Sequence, residues 1–263
     1  MREVVDISVV NIILFTLLML IPITVLKLKR LAIWHDLVIS IIRMVLQLLF
    51  VGFYLNSIFK IDSLWLNLAW LSVMVLIATH TVVKRSSLKV KSMFLPSLIS
   101  IGLSSATIGI LLLITVGATP IYTAPYLIPM VGMILGNSLQ ANIIATSSFY
   151  SDLRENFSQY EQALFNGATV KEALTPFVNR ALSSAISPSI AGMATIGLVA
   201  LPGMMTGQIL GGTNPMEAIK YQIVIMVAIF LSLFFSVYLM LTISPKKTLN
   251  GYGILRDEIS VSE

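Results

Sequence analysis

Cysteine is absent, so disulfide frameworks, thiolate metal centres and thiol redox chemistry are all excluded. Histidine occurs only as His35 and His80, and each reads as a packing or interfacial residue ahead of a metal ligand. Charged residues make up 11% of the chain, against about 25% in soluble globular domains, while 57% is hydrophobic. That balance belongs to a membrane protein. There is no Walker A pattern, no H-E-x-x-H and no G-x-S-x-G, so neither an intrinsic ATPase nor a hydrolase is supported.

What is present is a series of long apolar runs. A membrane-spanning helix needs roughly 20 mostly apolar residues, and that ruler gives about seven segments: Ile7 to Leu26, Leu37 to Phe59, Leu64 to Val83, Met93 to Val116, Leu127 to Phe149, Ser183 to Leu201, and Ile219 to Ile243. Threaded alternately, one side receives Lys27, Lys29 and Arg30, then Lys84, Arg85, Lys89 and Lys91, then Arg154, Lys171 and Arg180, and finally Lys246, Lys247 and Arg256. Arg2, Lys60 and Lys220 fall on the other. The positive-inside rule makes the first side cytoplasmic. The expectation is an all-α integral membrane protein of the cell membrane, N-terminus outside and C-terminus cytoplasmic, with residues 1–263 forming one transmembrane domain. The first run follows Glu3 and Asp6 and precedes Lys27, the reverse of a signal peptide's charge order, so it reads as a retained span. The net charge of +5 sits in short clusters beside apolar runs, the pattern of topology signals; no nucleic-acid partner is expected.

Polar residues inside the runs are the candidates for a path. Arg43 and Gln47, four apart, share a helix face with Ser40; snorkelling to lipid phosphates, a structural bond or contact with cargo are the roles open to Arg43. In the fifth run Met130, Met133, Asn137 and Gln140 form one stripe, which either packs through interhelical bonds or lines a transport path, while Gly132 and Gly136 form a small-residue contact on another side. Ser183, Ser184, Ser187, Pro188, Ser189 and Gly192 crowd the sixth run, pointing to a kinked, buried helix. Residues 202–215 are too Gly-rich for a lipid-facing helix and too apolar for a solvated loop. They read as a re-entrant segment, with Met204 and Met205 forming an outer gate with the Met130 stripe or serving as adaptable core filler. No run contains an Asp or Glu, and hard cations prefer carboxylate or imidazole ligands, so no metal-holding set is identifiable.

One long polar stretch separates the fifth and sixth runs, residues 150–180. Within it Glu161-x-Ala163-x-x-x-Gly167-Ala168 resembles the EAA loop by which ABC-transporter membrane subunits grip their ATPase. Gly167 can end one helix at positive φ, and Thr169 to Glu172 offers a capping box that starts another. The expected unit is a helix-turn-helix coupling loop carried by Glu161, Ala163, Gly167, Ala168, Thr169 and Glu172.

IPMVGMILGNSLQ (Ile128 to Gln140), the Glu161 loop, and GLVALPGMMTGQILGGTNPMEAIKYQI (Gly197 to Ile223) together resemble the FetB family of ABC permeases. Bacterial members of that family are described as iron exporters, and plant members are linked to aluminium tolerance. The resemblance implies a permease that works with a separate ABC ATPase subunit, as two copies of each, without a cofactor of its own. Importer-type loops carry a Leu-Pro pair where this chain has Asn179-Arg180. The competing readings are a secondary transporter or channel acting without an ATPase, and a membrane scaffold.

Overall fold

A computed structural model describes residues 6–86, 90–117, 120, 123–250 and 254; Arg2, Lys89 and Arg256 of the charge pattern lie outside them. The described residues form ten helices: α1 Val9–Leu17, α2 Leu20–Leu28, α3 Ile33–Ile61, α4 Leu64–Arg85, α5 Val90–Val116, α6 Ala124–Glu155, α7 Phe157–Phe165, α8 Val170–Thr195, α9 Gly203–Leu210 and α10 Pro215–Thr248. The protein is all-helical, as expected. Six stretches are long and apolar enough to cross a membrane: 9–28, 33–61, 64–85, 92–116, 124–155 and 215–248.

Two details differ from the segment map. The first run is broken at Leu18 and Met19, whose amides bond back three residues, to Phe15 and Thr16. Pro22 accounts for this, because its ring crowds the carbonyl four residues earlier, that of Leu18. The sixth expected span, Ser183 to Leu201, is the second half of α8, which begins in the polar stretch and ends at Thr195. Its serines, glycines and charged first turns keep it outside the set of six apolar stretches.

The core is built around α5, α6 and α10, with Ile101, Ile134 and Leu233 fully buried where they meet and α4 and α8 packed against them. By contrast α1 and α2 bury nothing, and α3 is anchored near its C-terminal end, where Ile58 packs with Ala124 and Ile128. Asp62 fixes this corner. It caps α3 at φ 38, and its carboxylate accepts from the Ala124 amide at 2.7 Å and the Asn67 amide at 3.3 Å. A carboxylate on the first amide of α6 also complements that helix's positive end. The two glycines of α6 divide: a Cβ on Gly132 would meet Met74 of α4 at 3.2 Å, whereas Gly136 faces open space.

Candidate functional site

The turn between α7 and α8 is held by bonds that the sequence pattern explains one by one. Gly167 has φ 89, and its amide bonds the Leu164 carbonyl while the Ala168 amide reaches the Ala163 carbonyl at 3.1 Å. These are the two bonds of a Schellman cap, which needs a left-handed residue at that glycine. Thr169 then caps α8. Its amide donates to the Glu172 carboxylate at 2.8 Å, and the Glu172 amide returns a bond to the Thr169 hydroxyl at 3.3 Å. The Thr169 hydroxyl and amide hold the Glu172 carboxyl below its ordinary range.

Aromatic packing and one ion pair fasten this turn to the bundle. Tyr160 and Phe177, both 1% exposed, meet edge to face with centroids 6.3 Å apart. Arg180 donates to Asp152 of α6 at 2.6 Å and lies over the Phe177 ring at 4.8 Å. It is the one ion pair among the described residues, and it sits where importer-type loops carry Leu-Pro. Glu161 points outward, and so does Phe165, four residues on and 82% exposed. Residues four apart on a helix share a face, so Glu161 and Phe165 form an acidic and aromatic tip. The sequence reading passed over Phe165; its spacing from Glu161 was the available signal.

At the other end of α8 lies a cleft of about 240 Å³ between α6, α8 and α10. Asn137 and Gln140 line it with Ser189, Gly192, Met193 and Met226. Asn137 donates to the Met133 carbonyl at 2.9 Å, which turns its amide nitrogen toward its own helix. The cleft therefore offers amide, hydroxyl and thioether groups and no ionised side chain. Met130, Met133, Met204, Met205, Arg43 and Gln47 do not line it: Met130 is buried in the core, Met205 is buried and Met204 partly so beside α10, and Arg43 and Gln47 are exposed on α3. Among the described residues no group of three His, Asp or Glu side chains is placed to hold a metal.

A buried polar seam beside this cleft is absent from the sequence reading. Ser138, Asn142, Thr146 and Tyr150 recur every four residues on α6 and face Ser232, Ser236, Met240, Ser244 and Thr248 on α10. Ser138 and Ser232 hydroxyls are 3.2 Å apart, the Asn142 amide donates to the Ser236 hydroxyl at 2.6 Å, and Tyr150 meets Thr248 at 2.9 Å. Met93 and Ser97 of α5 close its third side, 3.7 Å from Tyr150 and Met240 respectively. Along it the Asn142 Oδ1 and the Thr146 hydroxyl have no hydrogen-bond partner in the protein.

Long apolar helices around a polar seam and an amide-lined cleft define a multi-pass membrane protein. The chain belongs to the uncharacterised protein family UPF0014, whose family model matches residues 9–249. It is 36% identical over 191 residues to the UPF0014 membrane protein slr1647 of Synechocystis, covering 72% of this chain and 74% of that one. It is 35% identical over 199 residues to the protein ALUMINUM SENSITIVE 3 of Arabidopsis thaliana, covering 75% and 71%. With the probable iron export permease protein FetB of Escherichia coli it shares 33% identity over 198 residues, 75% of each chain. No solved structure matches the chain.

Proposed function

We propose that this chain is the membrane subunit of an ABC transporter, exporting iron, another metal or a metal chelate with ATP hydrolysed by a separate ATPase subunit. In this reading the N-terminus is outside, the C-terminus and the α7–α8 turn are cytoplasmic, and the assembly contains two permease and two ATPase subunits. The observation that carries it is the continuity of α8. One helix of about 39 Å at 1.5 Å per residue begins at the capped turn, Val170, and supplies Pro188, Ser189, Gly192 and Met193 to the cleft wall. A push on Glu161, Phe165 and the Gly167 turn is passed along α8 to Asn137 and Gln140 on the facing helix. The uncharged cleft suits a cargo that binds briefly and leaves.

The two-copy assembly is supported by the outer face of α8. Ser183, Ser184, Ser187 and Gly192 are exposed in the single chain, and Gly192 shares the cleft with Asn137 of α6. Small and hydroxyl residues let helices approach closely in a bilayer, and lipid offers their hydroxyls no partner. In the same reading residues 202–215 dip into the outer mouth: α9, at about 12 Å, is too short to cross, and Gly212 at φ 93 turns the chain into α10.

The test is a pull-down of the tagged full-length chain in mild detergent, wild type against Glu161→Lys, with co-purifying proteins identified by mass spectrometry. An ABC ATPase should appear with wild type and be lost from the variant. Its absence even after cross-linking refutes the reading and leaves a transporter that acts alone. Asn137→Leu should reduce metal export from cells without lowering the amount of folded protein.

A further inference from the structure

A second, larger groove, of about 630 Å³, runs between the first turns of α8 and the end of α10. Its floor is apolar, built from Leu174, Val178 and Leu241, with half-exposed Tyr238 at one end. Lys171 and Lys246, on different helices, stand at the other end. Among the described residues neither lysine has a carboxylate partner, since the one ion pair there joins Arg180 to Asp152 and Glu172 is committed to the Thr169 cap. The Thr175 and Thr242 hydroxyls each donate to the carbonyl four residues back. The lysines are the groove's cationic donors.

We propose that this groove binds an anionic glycerophospholipid, its phosphate between Lys171 and Lys246 and an acyl chain over Leu174, Val178 and Leu241. The depth of each part decides the occupant. Lys246 follows the apolar run of α10, while Tyr238 lies two turns earlier, about 12 Å along the axis, inside a stretch of membrane-spanning length and composition. A water-borne protein reaches the lysines but not that floor; a lipid spans both, and basic pockets between membrane helices bind anionic headgroups. The cavity lies within the roughly 300–1,000 Å³ typical of ligand sites. The proposal rests on membrane insertion and not on the transport reading.

The experiment is native mass spectrometry of the full chain in detergent, titrated with phosphatidylglycerol or phosphatidylcholine. Wild type should prefer phosphatidylglycerol. Each lysine near an anionic headgroup contributes about a five-fold factor, so Lys171→Gln with Lys246→Gln should weaken phosphatidylglycerol binding roughly 25-fold and leave phosphatidylcholine binding unchanged. Val178→Trp, which fills the floor with both lysines intact, should also weaken it. Unchanged phosphatidylglycerol affinity in the lysine variant overturns the proposal, and an equal loss when Lys84 and Arg85 are neutralised instead overturns it too. So does loss of a co-purifying ATPase from the lysine variant with lipid binding intact, which would give the groove to a protein.

Discussion

Asn142→Leu should stabilise the protein, although it deletes a short hydrogen bond in the core. Asn142 is fully buried, and its amide nitrogen donates to the Ser236 hydroxyl at 2.6 Å and to the Ser138 carbonyl at 2.7 Å, but its Oδ1 has no partner. An interhelical side-chain bond in a membrane protein contributes about 0.6 kcal/mol on average. A buried acceptor left without a donor costs about 1–3 kcal/mol. Leucine gives up the first and removes the second, and Ser236 can turn its hydroxyl to the carbonyl four residues back. The balance is a gain of roughly 0.5–2 kcal/mol, or a melting point about 1–4 °C higher. Ser236→Ala should act in the opposite direction, since it leaves Asn142 in place with one acceptor fewer. The pair of signs is read from thermal unfolding of the purified chain in one detergent. A destabilised Asn142→Leu would refute the reasoning, because it would mean that Oδ1 is satisfied. Should transport fall in the same stabilised variant, the seam is retained for function at a cost in stability.

Phe165→Ala removes an exposed ring that stabilises nothing in the isolated chain, so it should leave the melting point unchanged and weaken ATPase co-purification, the signature of an interface anchor. Thr169→Val removes the cap of α8 and should cost about 1 kcal/mol, seen as roughly five-fold faster amide exchange confined to the turn and the start of α8. The same cap is pH-dependent. Thr169 holds the Glu172 carboxyl below its ordinary 4.5, so the stabilisation is present above that pH and lost as pH falls through the lowered value. Amide exchange at Lys171 to Ala173, corrected for intrinsic rate, should rise below pH 4.5 in wild type and show a smaller step in Thr169→Val, which keeps the backbone bond to Glu172 but loses the hydroxyl.

The fold was legible wherever composition alone decides it. Apolar runs of 20 residues or more gave the helices, and Gly167 and Thr169 gave the turn because each supplies a group that few other residues can. The length of α8 was not legible. A hydropathy ruler sees a polar stretch followed by an apolar one, yet one unbroken helix covers both from Val170 to Thr195. Pro176 and Pro188 lie inside it, each deleting one amide without ending the helix. The expectation that its serine-rich half is buried holds for Ala185 but not for Ser183, Ser184, Ser187, Pro188 or Gly192, which a single chain leaves uncovered.

The site was half legible, for a geometric reason. Asn137 and Gln140 stood out because a polar stripe on one helix can be counted along one helix. The seam cannot be found that way. Ser138, Asn142, Thr146 and Tyr150 on α6 look like ordinary small and polar substitutions until Ser232, Ser236, Ser244 and Thr248 repeat the same four-residue step on α10. The two rows match because α6 and α10 run side by side, and the pairs at 3.2, 2.6 and 2.9 Å record that match. Such a seam ties the centre of α10 to α6, the helix that carries the Asn137 wall of the cleft. The wall that α8 supplies is joined to it by packing and, near the turn, by the Arg180–Asp152 pair. Motion transmitted from the turn should therefore separate α8 from a rigid α6–α10 pair, which places the moving wall at Ser189 and Met193.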